Sequence, residues 1–224
     1  MRKLITPFIF FLHVSSSHAQ ELGQVTFAGG TNISYFSFVA DQGLFIRISE
    51  DGKVLEWGIE VRALRSDYYA PKLQPYLGRV DYYGPESDSA FRGKVKSIGT
   101  SVITYYSHYD MDTKVGKIRS IGTVILDYYT NYENKVHKGK LRFIGNLLLE
   151  HYSSFENEAY KDKLKSIGNT VITYYSSFDD KFVKGKIKSI GSVPYTWYTS
   201  FELRAGLKSG LYRRNIGGIT YIVQ

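Results

Sequence analysis

Between Gly93 and Ala205 the apolar and polar positions of the chain repeat every 23 residues. Each copy opens with basic and aliphatic residues in alternation, as in GKVKSIG from Gly93 to Gly99, and a glycine ends this segment. A second segment follows that is rich in tyrosine, threonine and isoleucine, which is typical strand composition. A fixed period of this length predicts five copies of one supersecondary unit, with neighbouring copies burying each other.

Positions within a copy are counted from its central glycine, which is Gly99, Gly122, Gly145, Gly168 or Gly191. An aliphatic residue stands four positions before this glycine, an isoleucine directly before it and a tyrosine seven positions after it. Another aromatic residue stands ten positions after it and is followed by an acid. Strand-forming segments between glycine and Asp/Asn turns indicate two strands per copy.

The loop at the glycine decides which side chains share a face, because a slip of one residue moves each side chain to the other face. We predict a three-residue loop in which Gly168 supplies a left-handed conformation. In this copy the core face then carries Leu164, Ile172, Tyr174 and Phe178. The outer face carries Lys163, Lys165, Ile167, Val171, Thr173 and Tyr175.

Two all-β architectures accommodate such hairpins. In a parallel β-helix the equivalent lysines of successive copies would stack roughly 4.8 Å apart and repel by about 1 kcal/mol per pair. We therefore predict an antiparallel meander of tandem 23-residue β-hairpin repeats. A long sheet with one apolar face should curl into a barrel-like or sandwich form. A parallel β-helix and a single-layer sheet are the alternatives.

The first 19 residues have the composition of a secretory signal. Arg2 and Lys3 precede a short apolar run, and small residues ending at Ala19 close it. The run is too short for a transmembrane helix. We expect an exported protein of a Gram-negative bacterium, located in the periplasm, on the outer surface or outside the cell, and membrane association without a transmembrane helix remains open.

The remaining residues 20–224 are predicted to form a single β-repeat domain. Residues 20–92 contain degenerate repeats, residues 93–205 the five regular ones, and residues 206–224 closing strands. Within the degenerate part, Asp51 and Gly52 stand between two apolar runs and predict a β-hairpin. The chain has no cysteine, so its stability has to come from core burial and sheet hydrogen bonds.

No phosphate loop, zinc-protease pattern, nucleophile elbow or calcium loop occurs in the sequence. His151 stands where other copies have tyrosine or tryptophan, which favours an aromatic substitute over a metal ligand. The acids that follow the second aromatic residue are expected to cap turns. We therefore predict no catalytic residue, no metal site, no cofactor and no enzymatic activity.

The formal net charge of +8 favours anionic partners. The best candidates for ligand binding are the tyrosines at the seventh position after the glycine and the lysines at the fifth position before it. They are Tyr106, Tyr129, Tyr152, Tyr175 and Tyr198, with Lys94, Lys117, Lys140, Lys163 and Lys186. Tyrosine rings can stack on sugar rings, and lysines can bind acidic groups, so the two rows could form a glycan site. The alternative is that tyrosine and lysine pack on each other across strands and stabilise the outer face of the sheet.

The glycine-punctuated unit of residues 93–205 resembles, in period and strand content, the short β-hairpin repeats of MORN-type proteins and of YwqK-type antitoxin relatives. Its residues, GKIKSIG followed by a tyrosine-rich segment, depart from the usual MORN repeat. The resemblance implies a scaffold or interaction role. The expected function is therefore an envelope or surface scaffold, with a module for glycans or anionic polysaccharides as the alternative. The expected partners are an anionic glycan or another envelope protein, and not a nucleic acid.

Overall fold

The computed structural model describes residues 21–40, 43–61, 72–133, 135–209 and 212–224. These residues form an all-β protein in which consecutive strands pair antiparallel in long sheets, and no helix occurs among them. The predicted all-β meander is thereby confirmed. The predicted signal at residues 1–19 lies outside the described residues.

The first sheet has seven strands, and both ends of the chain contribute to it. Its strands are β1 (Glu21–Ala28), β2 (Asn32–Val39), β3 (Leu44–Ile48), β4 (Val54–Glu60), β5 (Leu73–Gln74), β19 (Arg213–Ile216) and β20 (Ile219–Val223). The order is β19-β20-β1-β2-β3-β4-β5. The predicted hairpin at Asp51 and Gly52 joins β3 to β4. Strand β20 pairs parallel with β1, so the last strand joins the first.

The second sheet has eleven strands, which follow one another in chain order. They are β6 (Val80–Tyr82), β7 (Val95–Ile98), β8 (Ser101–Tyr105), β9 (Ile118–Ile121), β10 (Val124–Tyr128), β11 (Leu141–Ile144), β12 (Leu147–His151), β13 (Leu164–Ile167), β14 (Thr170–Tyr174), β15 (Ile187–Ile190) and β16 (Val193–Pro194). A separate pair, β17 (Thr196–Trp197) and β18 (Leu207–Ser209), follows it. The two large sheets share one buried core and are open at their ends, which is consistent with a sandwich rather than a closed barrel for the described residues.

The predicted three-residue loop at the glycine is wrong. Ile167 pairs with Thr170, so the loop contains only Gly168 and Asn169. Gly168 has a φ of 52°, and the non-glycine residue after it has no positive φ. A glycine with positive φ at the first of two loop positions matches a type II′ turn, whose twist suits a tight hairpin.

A β-bulge in each repeat corrects the predicted faces. In the pairing of β12 with β13, the register shifts between Glu150 and His151, so that Leu164 and Ile167 both face the core although they stand three residues apart. Ile167 is therefore buried and not on the outer face. Leu164, Ile172 and Tyr174 are buried as predicted, whereas Phe178 is 94% exposed because it lies in a turn beyond the strand.

The turns of the first sheet dock onto backbone amides at these bulges. Gly52 O accepts from the N–H of Ile118 at 3.2 Å, Glu50 O from that of Leu141 at 2.9 Å and Gly30 O from that of Ile187 at 2.7 Å. Gly52 has a φ of 77°, and a Cβ atom there would overlap the Tyr128 hydroxyl. Only glycine therefore permits this approach of the turn to the repeat sheet.

Candidate interaction surfaces

The predicted tyrosine row runs along the repeats, and four of its five hydroxyls donate a hydrogen bond to the backbone of the next copy. Tyr106, Tyr129, Tyr152 and Tyr175 donate to the carbonyl oxygens of Leu126, Leu149, Ile172 and Tyr195, at 2.9, 2.7, 2.9 and 3.0 Å. Tyr198 stands at the end of the regular array, and its hydroxyl accepts from Arg204 at 3.4 Å instead. All five rings are partly buried, and those of Tyr106, Tyr152 and Tyr175 pack against the core.

The predicted lysine row makes a second set of bonds between copies. The Nζ atoms of Lys94, Lys117 and Lys163 lie 2.5 Å from the carbonyl oxygens of Gly116, Gly139 and Gly185, and that of Lys140 lies 3.1 Å from Asp162 O. Lys186 lies over the Trp197 ring, 4.6 Å from its centroid.

The structure therefore brings both predicted rows together as ladders between neighbouring repeats. Burial raises the pKa of Tyr106 to about 12, so this hydroxyl stays protonated and can donate at neutral pH. Burial lowers the pKa of Lys163 to about 8, which reflects how far this ammonium group is removed from water. A ligand that used these groups would have to replace hydrogen bonds that hold the repeats together.

The most exposed repeated feature is the aromatic residue ten positions after the glycine of each copy, although Phe178 among them is predicted on the core face. The five rings are Tyr109, Tyr132, Phe155, Phe178 and Phe201, which are 86%, 89%, 98%, 94% and 93% exposed. We call this set the ring row. Equivalent turns of an antiparallel meander lie two strands apart, so neighbouring rings recur about every 10 Å. Their position between a Ser/Thr and an acid was the sequence signal for a turn.

Each ring of the row stands on a turn that is closed by hydrogen bonds. At Phe178, the Asp179 N–H donates to Ser176 O at 3.2 Å, and the Asp179 carboxylate accepts from the Ser176 N–H at 2.6 Å. The repeated acids Asp110, Glu133, Asp179 and Glu202 all bond the Ser or Thr three residues earlier. Turn capping is thereby confirmed for these four acids, whereas the fifth, Glu156, closes its turn by donating its backbone N–H to Ser153 O at 3.1 Å.

Polar side chains also join neighbouring turns of the row. Asn157 Oδ1 accepts from the N–H of Ser177 at 2.9 Å, and Asp180 Oδ1 accepts from the N–H of Ser200 at 3.0 Å. These bonds connect the turns that carry Phe155, Phe178 and Phe201. The turns that carry the rings at this end of the row are therefore linked to one another by hydrogen bonds.

A buried polar cluster forms where one repeat departs from the pattern. His151 packs edge-on against Tyr129, with ring centroids 5.8 Å apart, just as Tyr174 does against Tyr152 in the next pair of copies. Its Nε2 lies 2.8 Å from a Glu50 carboxylate oxygen of the first sheet. This packing supports the interpretation of His151 as an aromatic substitute.

Three other charged or titratable groups complete the polar cluster. The His137 ring lies 4.9 Å from that of His151, and its Nε2 is 3.5 Å from the Asp162 carboxylate. Lys140 Nζ lies 3.4 Å from Glu50. Burial raises the pKa of Glu50, but the hydrogen bond with His151 and the Lys140 charge outweigh it, so this pKa is lowered. Burial lowers the pKa of His137, and the charges of His151 and Lys140 lower it further.

Among the described residues, no cluster of three His, Cys, Asp or Glu side chains has metal-binding geometry. The same part of the chain contains no helix long and apolar enough to cross a membrane. No protein-family model, curated protein or solved structure matches this chain. Its function therefore has to be argued from the surfaces described above.

The tyrosine ladder predicts a difference between inner and terminal copies. Tyr152→Phe should lower the free energy of unfolding by about 1–2 kcal/mol, because the Ile172 carbonyl loses its donor inside the sheet. Tyr198→Phe should change it by less than about 0.5 kcal/mol, because that hydroxyl bonds only an exposed arginine. Urea unfolding of both variants measures the difference. Equal losses would show that the ladder bond contributes nothing specific.

The polar cluster predicts how stability depends on pH. The pKa of His137 is below its ordinary value of 6.5 in the folded state, so the unfolded chain takes up this proton first. The resulting stability is complete above about pH 6.5 and is lost as the pH falls from there towards the folded pKa. His137→Tyr, which copies Tyr160 of the next repeat, should reduce the loss measured by urea unfolding at pH 7.5 and 5.5.

A second variant separates the Glu50 contribution from that of His137. The lowered pKa of Glu50 means that its contribution is complete above its ordinary value of 4.5 and is lost as the pH falls through the folded pKa. Glu50→Gln should therefore flatten the stability profile below about pH 4.5. If His137→Tyr left the loss between pH 7.5 and 5.5 unchanged, His137 would not be its source.

Proposed function

We propose that this chain is an exported, non-enzymatic β-repeat protein that acts as an interaction scaffold in the envelope or on the surface of a Gram-negative cell. The ring row carries this proposal, because soluble proteins rarely leave a large set of apolar side chains exposed without a use. The secretory pattern of residues 1–19 supports export. The repeated acids, which could have suggested a carboxylate pair, serve their turns instead.

The ring row suits a partner with an extended, repeating surface. Aromatic side chains contribute large contact areas at a low cost in conformational entropy. Rings on fixed turns need little further ordering when a partner binds, which favours affinity. Several weak contacts along one row would add up to much tighter binding of a long partner than of a short one.

A glycan-binding module is the second candidate function, and the spacing of the ring row favours it. Rings that recur about every 10 Å match the length scale of a disaccharide in an extended polysaccharide. The Tyr/Lys rows first proposed as the glycan site serve as ladders between repeats, so the ring row is the better placed of the two surfaces. An anionic polymer would draw on the positive net charge.

The test is the triple substitution of Phe155, Phe178 and Phe201 by serine in the purified protein. Binding to envelope polysaccharides and to envelope proteins is measured at low and high salt, together with thermal unfolding. We expect unchanged unfolding and at least about tenfold weaker binding, because each ring loses its apolar contact. Loss of polymer binding identifies a glycan module, and loss of protein capture alone identifies a protein scaffold.

Leu77→Ser is the matched control, because Leu77 is also almost fully exposed, at 96%. It stands 23 residues before Thr100, and therefore at the end of the repeats that carries the glycine hairpin turns rather than at the ring row. This variant should bind as the unchanged protein does. Equal weakening by the control and the triple variant would contradict a specific role of the ring row. Full binding by the triple variant would contradict it as well.

A further inference from the structure

In the repeat that contains Lys117 and Ile118, two donors bind two carbonyl oxygens of a turn of the first sheet. At the bulge of β9, the N–H of Ile118 donates to Gly52 O at 3.2 Å, and the neighbouring Lys117 Nζ lies 3.1 Å from Asp51 O. Two adjacent donors therefore bind two successive carbonyl oxygens of the first sheet's turn. Lys117 at the same time keeps its ladder bond to Gly139 O.

The preceding repeat has the same pair of donors without a turn on it. Val95 pairs with Tyr82 in the register in which Ile118 pairs with Tyr105, so the two N–H groups have the same direction. Lys94 makes the equivalent ladder bond to Gly116 O. No turn carbonyl accepts from the Val95 N–H in the described part of the chain.

A cavity of about 240 Å³ occupies the place that the turn fills in the next repeat. Its lining includes Lys94 and Val95 on one side and Val54, Trp57 and Tyr105 on the others. None of the described residues that line this cavity is acidic. Lys53 also lines the cavity but is paired with Asp51 at 2.7 Å, so Lys94 supplies the principal charge. Burial lowers the pKa of Lys94 and the Lys53 charge lowers it further, which indicates an ammonium group short of negative charge.

We propose that this cavity binds a small monocarboxylate with an apolar or aromatic body, whose two oxygens accept from Lys94 Nζ and the Val95 N–H. The carboxylate would take the place of the two turn carbonyls in the neighbouring repeat, and its body would lie against Val54 and Trp57. Burial of a paired charge is favourable only when hydrogen bonds satisfy it, and these two donors provide them. The volume is smaller than that of most sites for drug-sized ligands, which restricts the ligand to a small acid.

The other repeat without a docked turn explains why only one such site is proposed. Its cavity, of about 260 Å³, is lined by Lys163 and Leu164, the equivalents of Lys94 and Val95. Glu50 and Asp162 also line it together with Lys140 and Lys161, and Lys140 Nζ lies 3.4 Å from Glu50, so the protein itself supplies carboxylates that pair with lysines there. An added carboxylate would have to compete with these two acids for the lysines, whereas the lining of the Val95 cavity offers no such competitor.

Benzoate is the probe for the test, with benzyl alcohol as its neutral counterpart. In ¹H–¹⁵N spectra of the purified protein, benzoate should shift the Val95 amide and the Trp57 indole signals. Benzyl alcohol should bind about tenfold more weakly or worse, because it lacks the charge that Lys94 requires. Absence of shifts at Val95, or equal affinity for the two compounds, would overturn the proposal.

Two variants extend the test. Lys94→Met should weaken benzoate binding at least about tenfold, whereas Lys96→Met, which removes an exposed lysine nearby, should leave it unchanged. If loss of the ladder bond unfolds Lys94→Met, Val54→Phe provides the alternative, because it fills the cavity and keeps the lysine. Benzoate binding that survives both the loss of Lys94 and the filling of the cavity would contradict the assignment.

Discussion

The β-bulge at the start of each repeat is the feature on which the rest of the structure depends. It turns two aliphatic residues three positions apart, such as Ile118 and Ile121, towards the core, where both are fully buried. It also directs the N–H of Ile118 out of the ladder towards the turn of the first sheet. A buried amide without an acceptor is costly, so this donor requires a partner. The bulges thus specify both the core of the repeat sheet and the place where the first sheet docks.

The bulge also explains which parts of the fold could be predicted from the sequence. The period, the hairpins and the all-β class follow from local patterns, and these predictions are confirmed. The predicted register is wrong because strict alternation puts Leu164 and Ile167 on opposite faces, whereas the bulge turns both side chains towards the core. Phe178 was assigned to the core as an apolar residue, although the serine and aspartate of its turn already indicated a turn.

The predicted surfaces depended on contacts that no single repeat encodes. The Tyr152 hydroxyl bonds a carbonyl 20 residues further along the chain, and this requires the neighbouring copy to be in place. The pairing of His151 with Glu50 joins residues 101 positions apart and depends on how the two sheets pack. A signal for this cluster existed in the sequence, because His151 and Asp162 replace an aromatic residue and a glycine of the repeat. The positions at which one copy departs from the repeat therefore indicate the polar cluster, which the regular positions do not.

The two sheets contribute different surfaces to the protein. In the repeat sheet, most hydroxyls of the tyrosine row and most ammonium groups of the lysine row bond carbonyl oxygens of the next copy. The turns of this sheet expose the ring row. Turns of the first sheet accept hydrogen bonds from the bulge amides of Ile118, Leu141 and Ile187. The bulge at Val95 borders a cavity instead. Interaction with a long partner and binding of a small acid would therefore occur at separate places.

Amide hydrogen exchange at the five bulges tests this account most directly. Ile118, Leu141 and Ile187 donate to turn carbonyls of the first sheet, whereas Val95 and Leu164 border cavities. The account predicts that the first three amides exchange as slowly as the amides within the strands, and that those of Val95 and Leu164 exchange much faster. Equal protection of all five amides, or fast exchange at Ile118, Leu141 and Ile187, would contradict it.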